Sequence, residues 1–280
     1  MPELPEVETV RRALAARLEG RRIARVLVRK RTLRAPIPRD FEGRLQGTRI
    51  ARVDRRAKYL LVRLDGGTVW VAHLGMSGRM RLFAAPAPEP ERHDHVEIAT
   101  DDGTVLRFND PRRFGLMGLI AEEKLAAHKW FRALGPEPLA PGFDGAALAL
   151  RFNRRKTSLK AALMDQRTLA GLGNIYVSEA LFRARLSPLR MAGTVKGARA
   201  DRLAGAIREV LEAAIKAGGS SLRDHRQPDG ELGYFQHAFA VYDREGEPCP
   251  GCACDIAKTG GVRRNVQGGR ATYYCPRKQR

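Results

Sequence analysis

The sequence predicts an α+β protein: an N-terminal antiparallel β-sandwich with a leading helix, then a helical domain and a C-terminal β-hairpin. Apolar residues spaced three and four apart between residues 7 and 18 fit one face of a helix, and Gly20 follows as a stop. From residue 23 to 120 the pattern changes to short apolar runs divided by turn signals. Such strands packed with one helix indicate an antiparallel sandwich or barrel. Residues 144–218 then return to helical spacing.

Shifts in composition divide the chain into five segments. The Pro- and Gly-rich stretch LGPEPLAPG marks a linker, and QRTLAGLGN at 166–174 interrupts the helical part. The stretch GGSSLRDHRQPDGELGYFQ has little periodicity, and loops of that length in compact proteins are often functional. The predicted segments are a β-sandwich domain at 1–133, the linker at 134–142, a helical domain at 143–217, the long loop at 218–236 and a hairpin module at 237–280.

The charge balance indicates a polyanionic partner. The chain of 280 residues carries 51 Lys and Arg against 31 Asp and Glu, a net charge of +20. The basic residues are mostly Arg and are spread along the chain, which favours a folded basic surface over a disordered arm. The alternative is a generally basic protein from a GC-rich genome. The chain has no run of about 18 consecutive apolar residues, so no membrane span is predicted. The acidic N-terminus does not resemble a secretory signal. We therefore expect a cytoplasmic protein.

All four cysteines lie close to the C-terminus, at Cys249, Cys252, Cys254 and Cys275. This grouping argues against a disulfide framework spread over the fold and favours a local metal site.

The N-terminal residues MPELPE offer a nucleophile. Loss of Met1 would leave Pro2 with a free secondary amine, and α-amino groups have a pKa of about 8, against about 10.4 for lysine. More of such an amine is unprotonated at neutral pH, so it can form a Schiff base with a sugar C1′. Glu3 stands beside it and could transfer a proton. The alternative is that the acidic residues only favour the start of the first helix, and this prevails when the segment is taken alone.

Seven short motifs follow one another along the chain. They are MPELPEVETVRR at the start, AKYL at 57–60, HLGMSG at 73–78, HDH at 93–95, NDPRRFG at 109–115, GLGNIYVSEALF at 171–182 and GRATYYCP at 269–276. The set resembles bacterial formamidopyrimidine-DNA glycosylases, which remove 8-oxoguanine and ring-opened purines, and it runs from residue 1 to about 280. The related endonuclease VIII branch usually opens PEGPE, so PELPE favours the oxidised-purine branch.

The resemblance implies a catalytic set. Pro2 would be the Schiff-base nucleophile, Glu3 the general acid that opens the sugar, and Glu6 a support for that proton network. Lys58 would assist the β-elimination that breaks the strand, and Arg270 would contact phosphate and assist a second elimination. On its spacing alone, Lys58 is better explained as an edge-strand lysine that discourages sheet pairing.

The resemblance also implies DNA contacts, because enzymes that act on a base take it out of the stack. The side chains that would fill the void are Met76, Arg112 and Phe114. The phosphate contacts would be His93, Arg113 and Arg155, with Lys160 and Asn174 in a helix–two-turns–helix element. The loop at 218–236 would close over the flipped lesion. The alternatives are core packing for the two apolar void-fillers, a solvated charged face for the basic residues, and a helix C-cap for GLGN.

The cysteine module departs from the family pattern of two Cys pairs flanking a hairpin. The final pair, expected as CPxCQ, reads Cys275-Pro-Arg-Lys278-Gln, so a lysine stands where the fourth cysteine belongs. One Zn²⁺ is expected on Cys249, Cys252 and Cys275, with Cys254 replacing the missing ligand. The alternative is a hairpin that holds without zinc.

The leading hypothesis is a bifunctional DNA glycosylase and AP lyase that acts as a monomer on damaged double-stranded DNA, the monomer being implied by the resemblance alone. One alternative is a pyrimidine-preferring glycosylase of the endonuclease VIII type. Another is a protein that binds unusual DNA without cutting it. A pure binder would have no need of Pro2, Glu3 and Lys58 together, whereas a function without nucleic acid would leave the net charge unexplained.

Overall fold

A computed structural model describes residues 2–221, 228, 230–253 and 255–280. The chain forms two compact units. The first combines Met1–Arg132 with Ile215–Gln236, and the second combines Ala133–Ala214 with His237–Arg280. Among the described residues, no helix has the length and apolar character needed to cross a bilayer.

The first unit is a β-sandwich with a leading helix, as predicted. Its helices are α1 (Leu4–Leu18) and α2 (Phe41–Leu45). Its strands are β1 (Ile23–Val28), β2 (Ile50–Arg56), β3 (Tyr59–Leu64), β4 (Thr68–His73), β5 (Arg79–Phe83), β6 (Asp94–Thr100), β7 (Val105–Asn109) and β8 (Leu116–Ala121). They form two antiparallel sheets, in the orders β1-β6-β7-β5 and β2-β3-β4-β8.

Helix α1 is amphipathic, and its apolar face enters the sandwich core. Val7, Val10, Leu14 and Leu18 are buried there with residues of both sheets, including Trp70. Burial of such side chains contributes roughly 1.5–3 kcal/mol each. The helix begins earlier than its apolar pattern, because proline is favoured in a first turn and the preceding residues form a cap.

A two-residue turn joins β2 to β3. Arg56 pairs with Tyr59 across the ladder, which leaves only Ala57 and Lys58 in the turn. Ala57 has φ 53°, a left-handed conformation that is uncommon for a residue with a Cβ and that stores strain.

The second unit is helical and ends in the predicted hairpin. Its elements are α3 (Gly145–Phe152), α4 (Leu159–Met164), α5 (Asn174–Arg183), α6 (Ala198–Lys216, with its last two residues in the first unit), α7 (Ile256–Thr259), β9 (Arg263–Gln267) and β10 (Arg270–Tyr274). The side chains of Asp144 and Ser158 cap α3 and α4. The α+β fold class, with a sandwich, a helical part and a cysteine-bearing hairpin, is therefore confirmed.

The residues GLGN stand at the start of α5. Gly173 is the N-cap of that helix, and Asn174 is its first residue. The C-cap interpretation of this motif is wrong, because α4 already ends at Met164 and a nine-residue connection separates it from α5. Gly171 in this connection has φ 100°, which favours glycine.

Candidate active site and nucleic-acid interface

Pro2 and Glu3 are buried where α1 begins, and Glu6 fixes the backbone beside them. The Glu3 amide donates to Glu6 Oε2 at 2.8 Å. The other oxygen of the same carboxylate, Oε1, accepts from the Ser220 amide at 2.8 Å and from Ser220 Oγ at 3.1 Å. The Glu3 side chain is only 3% exposed. A buried carboxyl thus lies next to the residue that offers the amine, with its backbone held by a second carboxyl.

Gly219 allows the loop to approach Glu6 this closely. Its φ is 82°, and a Cβ built on it would lie 3.0 Å from Glu6 Cγ and from Glu6 Oε1. A side chain at this position would be strained and would also press on the carboxylate that holds Glu3. Residues 222–227 and 229 of the predicted loop at 218–236 lie outside the described residues.

Lys58 is 7% exposed and sits in the tight turn between β2 and β3. The edge-strand interpretation of this lysine is therefore wrong.

His73 lies across the ladder from the residue after Lys58, and sequence reasoning assigned it no role. It pairs with Tyr59, and the two rings lie 4.8 Å apart. Burial, together with the nearby positive charges of Lys58 and Arg34, lowers the pKa of His73 to about 4. The ring is therefore neutral at physiological pH, and its Nδ1 accepts a hydrogen bond from the Gly75 amide at 2.9 Å. The only sequence signal was its place in HLGMSG.

The protonation of His73 can be measured directly. Among the six histidines of the chain, NMR titration of the imidazole resonances should find His73 still neutral at pH 5, with a pKa of about 4. An ordinary histidine titrates near 6.5 and is mostly charged at pH 5. Because the folded state prefers the neutral ring, the stability that His73 contributes is present above about pH 6.5 and is lost as the pH falls toward 4. His73→Asn assigns the resonance, and a pKa near 6.5 would contradict the buried, neutral ring.

The three side chains proposed to fill the void are exposed. Met76 is 40% exposed and Phe114 is 44% exposed, although both are large and apolar. The Arg112 guanidinium carbon lies 4.8 Å from the centre of the Phe114 ring, a cation–π contact. The core-packing interpretation of Met76 and Phe114 is wrong. Exposed apolar side chains beside an arginine suit insertion into a base stack.

Two predicted phosphate contacts, Arg113 and His93, lie in the same unit as this group. Arg113 follows Arg112 and precedes Phe114 in the chain, is exposed, and has φ 56°, a strained conformation for an arginine. His93 is half-buried, and its ring packs against that of His95 at 6.2 Å. Both residues thus belong to the same unit as the exposed apolar pair.

In the second unit, Lys160 and Asn174 converge on one backbone carbonyl of the hairpin. Lys160 Nζ donates to Ala271 O at 2.6 Å and to Thr272 Oγ1 at 2.8 Å, and Asn174 Nδ2 donates to Ala271 O at 2.9 Å. Lys160 is 1% exposed, so the solvated-face interpretation is wrong for it. These contacts tie α4 and the start of α5 to β10, whose first residue is the exposed Arg270.

One buried atom of Asn174 points to a further polar contact. Its Oδ1 is buried and has no hydrogen-bond partner within the part of the chain that the structure describes. A buried polar atom is normally satisfied, so this oxygen is suited to a donor from solvent or from a bound molecule.

Arg155 already has partners inside its own unit. Its guanidinium donates to Asp165 Oδ2 at 3.2 Å and to the Arg151 carbonyl at 3.0 Å, and the side chain is about one-third exposed. A phosphate at this position would have to share the guanidinium with Asp165. We therefore expect a phosphate contact from Arg155 to be weaker than one from Arg270 or Arg113.

Three cysteines of the hairpin module come together. The Sγ atoms of Cys249, Cys252 and Cys275 lie within 4.8 Å of one another, and those of Cys252 and Cys275 are 3.8 Å apart. Tetrahedral zinc with Zn–S bonds of about 2.3 Å places its sulfurs roughly 3.8 Å apart, so this set fits three ligands of a zinc site. Burial and the two neighbouring thiols raise the pKa of Cys249 well above its usual range. Cys254 lies outside the described residues.

Lys278 occupies the position of the expected fourth cysteine without joining the sulfur cluster. Its ammonium donates to the Pro250 carbonyl at 3.0 Å and lies 4.5 Å from the centre of the Phe182 ring. The Lys278 side chain is thus hydrogen-bonded to the segment that lies between Cys249 and Cys252.

Glu179 in α5 is a buried acceptor that sequence reasoning missed. Its Oε2 accepts from the Ala240 amide at 2.8 Å, and its Oε1 accepts from the amides of Val241 and Tyr242 at 3.0 and 2.8 Å. Burial raises the pKa of the Glu179 carboxyl, and the three amide donors oppose that rise. The carboxylate joins α5 to the segment that leads into the hairpin.

Comparison with known families agrees with this architecture. The formamidopyrimidine-DNA glycosylase N-terminal domain matches residues 1–117, and the formamidopyrimidine-DNA glycosylase H2TH domain matches residues 134–226. By fold and by these matches, the protein is a DNA glycosylase. A formamidopyrimidine-DNA glycosylase of Rhodospirillum rubrum is 58% identical, over the whole length of both chains. The chain belongs to the formamidopyrimidine-DNA glycosylase family.

Solved structures give the same picture. The MutM (Fpg) protein of Thermus thermophilus superimposes with a TM-score of 0.86 at 43% identity, covering 99% of this chain and 98% of that one. Lactococcus lactis Fpg superimposes with a TM-score of 0.88 at 32% identity, covering 99% of both chains, in a complex with DNA that contains an abasic site. A further complex of an inhibited form of that protein contains N7-benzyl-Fapy-dG DNA, again with a TM-score of 0.88 and 32% identity, and full coverage of both chains.

Proposed function

We propose that this glycosylase excises 8-oxoguanine and formamidopyrimidines from duplex DNA and then cleaves the strand as an AP lyase, through a Schiff base on Pro2. The observation that carries the proposal is the N-terminal arrangement: Pro2 and the Glu3 carboxyl are buried side by side, and Glu6 holds the Glu3 backbone at 2.8 Å. By the family resemblance, the protein acts as a monomer in the bacterial cytoplasm.

The first steps would remove the base and open the sugar. After loss of Met1, the Pro2 nitrogen attacks C1′ with its lone pair, and the glycosidic bond from C1′ to the base breaks with its electrons leaving on the base, which takes up the proton that the Pro2 amine loses. Glu3 protonates O4′ as the C1′–O4′ bond breaks, so the ring opens to a C1′ iminium. A proton donor of this kind contributes typically about a hundredfold to ten-thousandfold in rate.

Two eliminations would then cut the strand. A proton leaves C2′ and the 3′ phosphate departs with its bonding electrons, which gives a conjugated iminium. Loss of a further sugar proton expels the 5′ phosphate, and water releases the sugar fragment from Pro2. Lys58 would stabilise charge near the first leaving phosphate, and Arg270 would do so for the second. The cations supply electrostatic stabilisation and do not form bonds in either step.

The proposed DNA contacts come from both units. Met76 and Phe114 would enter the gap left by the flipped base, and Arg112 would hydrogen-bond the orphaned partner base. The proposed phosphate contacts are His93 and Arg113 in the first unit, and Arg155, Lys160, Asn174 and Arg270 in the second. For Lys160, the contact would have to come through the carbonyl-bound ammonium or through the backbone at the start of α4.

We also propose one Zn²⁺ in the hairpin module, held by Cys249, Cys252 and Cys275, with Cys254 as fourth ligand. The three described sulfurs have spacings suited to the ion. When bound, zinc would supply structural bonds that fix the hairpin. Cys249 and Cys275 also belong to an apolar cluster that includes Phe182, Val241 and Tyr273.

Metal analysis of substituted chains would test the ligand set. The native protein should contain one zinc per chain, and Cys254→Ser should lower its zinc affinity at least about tenfold, because a four-ligand site loses one ligand. Restoring the family pattern with Lys278→Cys in the Cys254→Ser background should recover zinc binding. Unchanged zinc content in Cys254→Ser would exclude Cys254 as a ligand, and absence of zinc from the native protein would favour a hairpin that holds without metal.

Borohydride trapping is the experiment that tests the enzyme class and the nucleophile together. The native chain is mixed with a duplex carrying 8-oxoguanine opposite cytosine, and borohydride reduces any iminium to a permanent bond. We expect a covalent protein–DNA band that is absent with Pro2→Gly, and mass spectrometry should show that Met1 has been removed. No band on this duplex or on an abasic-site duplex would leave DNA binding without cleavage as the better description.

A further inference from the structure

Two turns that are far apart in the sequence share one buried carboxylate. It lies beside Met76, Arg112 and Phe114, which together we call the wedge. Asp110 is fully buried. Its Oδ1 accepts from Ser77 Oγ at 2.6 Å, and its Oδ2 accepts from the Gly115 amide at 2.7 Å. Ser77 follows Met76, and Gly115 follows Phe114. One side chain therefore holds the residue next to each apolar void-filler.

The same hydrogen-bond network reaches the arginine of the wedge. Ser77 Oγ donates to Asp110 and also accepts from the Arg112 amide at 3.2 Å. The backbone of Asp110 is itself fixed, because its carbonyl lies 2.8 Å from His95 Nε2 and its amide donates to the His93 carbonyl at 3.0 Å. Asp110 is thus held through both its backbone and its carboxylate, so it cannot move without disturbing the two turns.

Close backbone packing adds to this network. Gly75 has φ 65°, and a Cβ built on it would lie 2.4 Å from the Phe114 carbonyl. A Cβ on Gly115 would lie 2.5 Å from the ring of Phe108 and 3.0 Å from Asp110 Oδ2. Two backbones meet here without room for a side chain, so the turns are in direct contact as well as bridged.

We propose that Asp110 and Ser77 are positioning residues that hold Met76, Arg112 and Phe114 as one rigid wedge, and so set the efficiency of base eversion and the reading of the opposite base. This inference rests on the proposed function. A wedge that is ordered before it meets DNA loses less conformational entropy on insertion than one on two independent loops. The Arg112 backbone is anchored by Ser77, so the direction from which its guanidinium meets the partner base depends on the same contact.

Ser77→Ala is the decisive variant, because it removes both contacts of the hydroxyl and adds no bulk. Single-turnover excision of 8-oxoguanine opposite cytosine should slow about tenfold, as expected when two hydrogen bonds that order the wedge are lost. The preference for cytosine over adenine as the opposite base should fall as well. Cleavage of an abasic site in a single-stranded oligonucleotide should stay within about twofold of native, because that substrate has no base stack to enter.

A matched control separates positioning from general loss of stability. Thr100 is a buried residue at the far end of β6, and its hydroxyl donates to Asp102 Oδ1 at 2.7 Å. Thr100→Ala removes a part-buried hydroxyl–carboxylate bond away from the wedge. It should change neither the duplex rate nor the opposite-base preference by more than about twofold, since it touches none of the wedge residues.

Asp110→Asn tests the carboxylate from the other side. It should slow duplex excision at least as much as Ser77→Ala, and the double variant should be no slower than the slower single variant, since both act through one network. Additive losses, or equal losses on duplex and single-stranded substrates, would overturn the positioning role. The native enzyme is assayed first: absence of excision there would refute the proposed function, whereas native excision with unaffected variants would refute only this inference.

Discussion

Glu3→Gln should bind lesion-containing duplex with native affinity and excise 8-oxoguanine about a hundredfold to ten-thousandfold more slowly, the range typical of a lost general acid. The amide has almost the same shape as the carboxyl but has no proton to transfer to O4′. The Glu3 side chain is 3% exposed, so water has little access with which to replace it. Single-turnover kinetics and an equilibrium binding assay measure the two quantities separately.

The same variant should still be trapped by borohydride on an abasic-site duplex. An abasic sugar is partly in its open aldehyde form, so Pro2 can form an iminium there without a proton donor for ring opening. Glu8→Gln is a suitable control, because Glu8 lies on the same helix and forms ion pairs with Arg11 and Arg55. A native excision rate in Glu3→Gln would show that Glu3 does not donate the proton, while leaving Pro2 as the nucleophile.

Glu179→Ala should destabilise the second unit by about 3–5 kcal/mol, because three backbone amides lose their shared acceptor. The amides belong to Ala240, Val241 and Tyr242, and Val241 packs in the cluster that contains Cys275. Loss of the carboxylate should therefore loosen the hairpin module before the rest of the unit. Hydrogen exchange of residues 237–280 should accelerate at denaturant concentrations where native protein is protected.

Two further variants sharpen this test. Glu179→Gln keeps an oxygen that can accept two of the three amide bonds, so we expect an intermediate loss. Glu212→Ala removes an exposed acid from α6 and should change stability by less than about 0.5 kcal/mol. Unchanged exchange in Glu179→Ala would mean that the apolar cluster alone holds the segment in place.

The sequence was most informative where chemistry and local structure coincide. Pro2 and Glu3 are adjacent in the chain, so their proximity needed no fold to predict it. The short apolar runs and turn signals likewise predicted the strands, because strand formation follows an alternation visible over a few residues. The pairing of β1 with β6, in which Val28 pairs with Val96 and Ile23 with Thr100, has no local signal, since it depends on burial of both faces of the sandwich.

What the sequence could not show were contacts between distant side chains. Ser77 and Asp110 are 33 residues apart, and nothing in either motif marks the other as its partner. The sequence also could not predict which apolar side chains are exposed. Met76 and Phe114 are of residue types that usually form the core, and only the fold places them at the surface. Arg155 shows the opposite case, because its pairing with Asp165 depends on how the chain turns between α3 and α5.

The Glu6 carboxylate couples two remote parts of the chain, because both donate hydrogen bonds to it. One oxygen accepts from Glu3 and the other from Ser220, which stands 214 residues later. The coupling free energy between two such bonds is the same in both directions. Ordering of Ser220 therefore stabilises the ordered N-terminus as much as ordering of the N-terminus stabilises Ser220. Substitutions near Ser220 are therefore expected to change the reactivity of Pro2.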